Sequence, residues 1–218
     1  VMPGLSAYDF GDSIRFGAAT AAEDEKDLSK MEMSLDLLRT YTRGFLKACP
    51  GLTELEKEIK DGKDLEYKFD VSGKRLLQVS RRALYRITHS AYAYKMTSDR
   101  KYLSYVEDQL NAVCGFPNWN EVHYLDVAEM ALGVSVAYDW LNDELAPEVK
   151  AKAEKALYEY AFRTAIDGKY NHNFYEMTNN WNQVCNAGLV AASLALYEKY
   201  PKEAQVLVTK AVESNRKP

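Results

Sequence analysis

Three times along this chain, a segment of small and apolar residues is followed across a polar turn by a segment that is charged on one side only. The first pair is Leu76 to Lys95, then a helix-spaced run with Tyr102, Val106, Leu110 and Val113, the two joined by the capping stretch Thr97-Ser98-Asp99. In the second pair, Val122, Leu125, Ala128, Leu132 and Val136 form one apolar face, and Tyr124, Val127, Ala131, Val134 and Tyr138 form another. A helix apolar on two faces is buried between neighbours. Its companion, Pro147 to Phe162, opens on proline and sets Lys and Glu opposite Val149, Ala153, Leu157 and Tyr160. The third pair is Asn182 to Tyr197, almost wholly small and apolar, then the amphipathic Pro201 to Ser214. Similar marks close each first helix: Ser90-Ala91-Tyr92-Ala93-Tyr94, Ser135-Val136-Ala137-Tyr138 and Ser193-Leu194-Ala195-Leu196-Tyr197. Repeated hairpins with a greasy first helix and a polar second one build a solenoid or a closed ring. Spacings of 44 and 59 residues between Tyr94, Tyr138 and Tyr197 are longer and less regular than in short-period solenoids. The expected fold is therefore all-α, an incomplete α/α toroid of repeated antiparallel helical hairpins, with no strand.

Upstream the pattern is weaker. Residues 1–27 carry no sustained apolar period and read as a loosely ordered lead-in, with the partial toroid occupying 28–218. Met31, Leu35, Leu38, Tyr41 and Phe45 predict a helix from Leu28 to Ala48, stopped by Pro50-Gly51. A short charged helix follows over Leu52 to Lys60, then a turn at Asp61-Gly62-Lys63-Asp64 and a loop from Lys68 to Gly73. No apolar run is long enough to span a membrane, and Val1-Met2-Pro3-Gly4 lacks the basic start of a signal peptide. Cys49, Cys114 and Cys185 are too scattered for a disulfide framework or a zinc knuckle and read as small core residues. No histidine is spaced with another for a metal, and no cofactor is expected. A net charge of −4 without a long basic stripe argues against nucleic-acid binding. The densest basic region is Lys74, Arg75, Arg81, Arg82 and Arg86, either a local anion-binding surface or a solvated helix face.

Polar groups concentrate in Thr178-Asn179-Asn180-Trp181-Asn182-Gln183-Val184-Cys185-Asn186-Ala187-Gly188, where a loop enters the apolar run from Leu189 to Tyr197. One asparagine is expected to cap that helix, and the others are surplus to capping. They either satisfy the loop or face a ligand.

The stretch from Asn179 to Gly188 resembles the motif that opens an inner helix in the heparinase II/III-like polysaccharide lyases. A second stretch, Phe116-Pro117-Asn118-Trp119-Asn120-Glu121-Val122-His123-Tyr124-Leu125-Asp126-Val127-Ala128-Glu129-Met130-Ala131-Leu132-Gly133, running on to Tyr138-Asp139-Trp140-Leu141, is similar to another signature of that family. The likeness extends from about Leu65 to the end. It implies an α/α toroid that binds an acidic, uronate-containing polysaccharide and cleaves it by β-elimination, in the periplasm or outside the cell. Within it, Asn180 matches the position whose amide stabilises the charge on the uronate carboxylate, a catalytic role, with Asn179 and Asn182 as near alternatives. Asn179, Trp181, Asn182, Trp119 and His123 are the candidate substrate-binding residues. The rings of Trp119 and Trp181 either stack on sugar faces or anchor their loops, and His123 would bind or protonate substrate. Family members take their base and acid from a tyrosine in a later motif and a histidine beyond the toroid, and Ser214-Asn215-Arg216-Lys217-Pro218 falls short of both. Tyr124, Tyr170 and Tyr175 lie near the motifs but read as packing residues, while His89 reads as structural and His172 as a weaker candidate. A toroidal glycoside hydrolase or unsaturated-uronyl hydrolase would instead need two carboxylates in the cleft, and Asp126 with Glu129 is such a pair. A non-catalytic helical-repeat binding module is the remaining alternative.

Overall fold

A computed structural model describes residues 50–167 and 173–215, and every described element is helical. The lead-in, the helix expected over Leu28 to Ala48, Cys49, Tyr170 and His172 lie outside the described residues. Helix α1 spans Pro50–Asp61 and opens on the proline of the expected Pro50-Gly51 stop. Gly62 follows at φ +59°, a conformation that side chains with a Cβ rarely adopt. Helix α2 covers Leu77–Thr97, and Asp99 caps α3 (Arg100–Val113) by accepting from the Lys101 amide.

Helix α4 is Tyr124–Trp140. Val122, expected on its apolar face, precedes it and is 70% exposed. Helix α5 begins at Pro147–Ala156, continues through a π-helical stretch, Leu157–Phe162, to the expected end, and adds a last turn, Arg163–Ile166. The π stretch carries Tyr158, which stacks on Tyr200, and Tyr160, whose hydroxyl donates to the Phe116 carbonyl. After a 3-10 turn at Asn173–Glu176 come α6 (Asn180–Ala195) and α7 (Pro201–Ser214).

Helices α2, α4 and α6 lie side by side and run parallel. Leu76, Arg81 and Leu84 meet Asp126, Glu129 and Gly133 in that order, while His123 meets Trp181 and Ala128 meets Gly188. Two glycines permit the closeness. A Cβ on Gly133 would come within 3.1 Å of the Leu84 backbone, and one on Gly188 within 2.3 Å of the Ala128 carbonyl. The middle helix is buried on almost every side, as an element apolar all round must be. Helix α3 packs on α2, α7 packs on α6, and α5 touches α3, α4 and α6. The free side of α6 ends on Leu194 and Tyr197, 69% and 56% exposed, so this helix is less enclosed than its composition predicts. The parallel register puts the three N-termini at one end, and both sequence motifs are located there.

Candidate functional site

Three segments build this end of the helix layer. The first is the turn before α2, held by Asp70, whose carboxylate accepts from the Ser72 hydroxyl at 2.6 Å and the Ser72 amide at 3.1 Å. The Ser72 bond in particular holds the Asp70 carboxyl below its ordinary pKa. Lys74 and Arg75 leave this turn with no ion pair among the described residues.

The second segment is the loop before α4. Asn120 sits at φ +60°, a region asparagine enters more readily than most residues. Its amide nitrogen donates to the Lys74 carbonyl at 2.9 Å and to Asp126 Oδ2 at 2.7 Å. Asp126 is completely buried, yet its charge is well served: the Leu76 amide donates to Oδ2 at 2.6 Å, and His123 Nδ1 lies 2.9 Å from Oδ1. One carboxylate thus ties the start of α2 to the loop and first turn of α4. A buried charge is tolerated only under such conditions. The sequence carries a signal for this hub in the three-residue spacing of Asn120, His123 and Asp126, which returns each side chain to one side of a helical entry.

The third segment is the loop entering α6. Asn179 is the cap, accepting from the Trp181 amide at 3.0 Å. Asn182 is buried and faces inward, its amide nitrogen within 2.6 Å of Ser214 Oγ and 3.1 Å of the Phe174 carbonyl. Asn186 donates to the same Ser214 hydroxyl, which itself donates to the Tyr175 carbonyl. The surplus asparagines therefore bind the 3-10 turn and α7 to α6, and Asn182 is no ligand group. Asn180 differs, being exposed with no side-chain hydrogen bond among the described residues.

The segments meet where the His123 ring stands edge-on to Trp181, with centroids 4.9 Å apart at 80°. Trp181 is half-buried. Trp119 is 1% exposed, its indole donates to the Val113 carbonyl at 2.9 Å, and Tyr160 meets it edge-on. Of the two readings for that tryptophan, loop anchor is the one its burial allows, because no ring face is open to a sugar.

Below the rim, Arg81 Nε contacts Glu129 Oε1 at 3.2 Å, while Glu129 Oε2 is buried without a partner. Burial raises the Glu129 pKa despite that arginine. In the window above the ordinary value of 4.5 the folded state thus holds this proton more tightly than the unfolded chain does, so stability falls as pH rises through the window. Glu129→Gln lacks the proton, and its stability relative to the parent is expected to rise from pH 4 to pH 7. Urea midpoints at the two pH values measure this, and a constant difference would refute it.

The remaining basic cluster is spoken for: Arg82 and Arg86 share Glu58, and Arg86 also donates to the Lys63 carbonyl and Gln109. A surface depression of about 480 Å³ lies there, between α1 and α2. Tyr124 is buried and donates to the Ala161 carbonyl, and burial pushes Tyr175 up to about 12, so neither hydroxyl is poised to lose a proton. Cys114 and Cys185 are buried, with both thiols likewise pushed up to about 12. No group of three metal-ligating side chains occurs among the described residues, and no described helix is long and apolar enough to cross a membrane. No known protein family's sequence profile matches the chain.

Proposed function

We propose that this chain is part of an α/α-toroidal polysaccharide lyase, of the heparinase II/III-like kind, that binds an acidic polysaccharide at the end where the N-termini of α2, α4 and α6 meet. The observation that carries the reading is the meeting of His123 with Trp181, one residue from the open amide of Asn180. Abstraction of the C5 proton of a uronate adds negative charge to a group that is already an anion. An amide donor fixed before reaction offsets that charge without solvent reorganisation. Asn180 sits in the first turn of a sixteen-residue helix, where the dipole also favours an anion. Lys74 and Arg75, unpaired among the described residues, supply local positive charge on a chain that is negative overall. Trp181 and His123 then flank the sugar, Asn179 serves as the cap, and Asn182 and Trp119 support from within. The periplasmic or extracellular setting belongs to the same reading.

Hydrolysis by Asp126 and Glu129 is the weaker account, since it requires carboxylates open to water and substrate. Asp126 is wholly buried and Glu129 almost so.

The test offers a panel of uronate polysaccharides and follows the ultraviolet absorbance of the unsaturated product, with Asn180→Ala in parallel. Growth on one polymer, reduced about a hundredfold in the variant, is the expected result. Release of reducing sugar without absorbance would move the assignment to a hydrolase, and silence in both assays to a binding module.

A further inference from the structure

We infer that the hollow formed by Gln78, Arg81, Arg82 and Tyr85 is a second subsite for the acidic polysaccharide, gripping a carboxylate or sulfate on a sugar away from the cleaved bond. The inference rests on the acidic-polysaccharide part of the reading above and adds a binding site to it. The four residues follow one another at i, i+3, i+4 and i+7, so they share one face of α2. With Glu54 of α1 they line a hollow of about 360 Å³, within the size range of small-ligand sites. It shares Glu54, Gln78 and Arg82 with the depression between α1 and α2.

Pairing holds the two arginines without closing them. Arg81 gives Nε to Glu129 and Arg82 gives Nη1 to Glu58, and both acceptors are only 9% exposed. The arginine side chains themselves stay 63% and 49% exposed. A guanidinium carries five N–H donors in a fixed fork, so each keeps donors for an outside acceptor and is already oriented by the carboxylate beneath it. An oxyanion is the acceptor such a fork binds most strongly. Charge balances when Glu54, Glu58 and Glu129 are set against Arg81, Arg82 and Arg86, so recognition comes from directed donors and not from a diffuse positive field. Gln78 is exposed and adds an amide. The half-buried ring of Tyr85, with its centroid 4.3 Å from that of His89, offers the sugar a fixed apolar wall.

The hollow is continuous with the rim. Glu129, beneath Arg81, is three residues along α4 from Asp126 and close enough to His123 for their charges to interact. Asp126 in turn accepts from the Leu76 amide, two residues before Gln78. A polymer lying across His123 and Trp181 thus meets Arg81 about one helical turn, roughly 5 Å, below the rim.

Binding tests this without requiring turnover. Native electrophoresis of the protein through gels containing heparin, alginate or uncharged dextran gives a Kd for each polymer. Gln78→Glu, an exposed substitution that sets a carboxylate in the hollow, is expected to weaken binding of the acidic polymers about tenfold. Arg81→Gln combined with Arg82→Gln is expected to weaken it at least about tenfold wherever that variant folds. Gln205→Glu, exposed on α7, makes the same change in net charge and is expected to stay within about twofold of the parent. A loss confined to heparin assigns the hollow to sulfate, and an equal loss on alginate assigns it to carboxylate. A Gln78→Glu effect no larger than that of Gln205→Glu overturns the inference, and so does equal binding of dextran. If the parent also forms unsaturated product, the lyase reading survives that failure. Binding that depends on Gln78 in a protein forming no such product keeps the subsite and removes the lyase chemistry, and a parent that binds neither acidic polymer overturns both.

Discussion

Asp126→Ala is expected to lower the unfolding free energy by about 4 kcal/mol, because three donors lose their acceptor at once and each unsatisfied buried group costs about 1–3 kcal/mol. Those donors are the Leu76 amide, the Asn120 side chain and His123 Nδ1, and they belong to the approach to α2, the loop before α4 and the entry to α4. Water cannot readily replace the carboxylate, since the site is fully buried. Asp126→Asn is expected to recover only part of the loss: its Oδ1 can still accept, but its amide would oppose one of the existing donors. Denaturant unfolding of the two variants measures this, and an alanine variant within about 1 kcal/mol of the parent would show that the hub contributes little.

Gly188→Ala is the second large effect. The new methyl would sit 2.3 Å from the Ala128 carbonyl oxygen and 2.7 Å from its Cα, and neither is a flexible side-chain end that can swing aside. Helices α4 and α6 must separate. Overpacking of this kind costs about 3 kcal/mol, offset by about 1 kcal/mol of better helix propensity, for a net loss of about 2 kcal/mol. On the proposed reading of the site the functional loss is larger, because Trp181 and Asn180 ride on α6 while His123 rides on α4. Displacing reacting groups by about 1 Å costs on the order of a hundredfold in rate. Gly133→Ala provides the comparison, as its methyl would meet the α2 backbone at 3.1 Å, a contact that small shifts relieve, and would leave the His123–Trp181 pair alone. Equal effects at the two glycines would argue against this account.

Much of the helical layout was readable from residue order. Period and caps are local properties, which is why Asp99 and Asn179 both cap the helices that follow them. Errors of placement were also local. The α4 pattern was extended back to Val122 because a hydrophobic residue falls in phase there, although the chain is still in the loop and the side chain is exposed. The expected helix reaches the end of the π stretch at Phe162, and only the last turn, Arg163–Ile166, lies beyond it.

The candidate site was less readable, because what an asparagine or tryptophan does depends on partners far away in the chain. Asn180 and Asn182 are two positions apart on one helix, but the second turns inward to Ser214, 32 residues later, and the first does not. Trp119 and Trp181 occupy similar places in their motifs, and only the packing of Tyr160 and the Val113 carbonyl around Trp119 separates the buried anchor from the half-buried ring. Asp126 pairs with Glu129 by spacing alone, but the Leu76 amide, 50 residues earlier, closes over it and keeps it out of any cleft. Hydrophobic period and capping chemistry, set by neighbours within a turn or two, thus determined that the chain is helical and where most helices begin. Which polar side chains face outward was decided by the parallel stacking of α2, α4 and α6, because burial and hydrogen-bond satisfaction are settled only when distant segments meet.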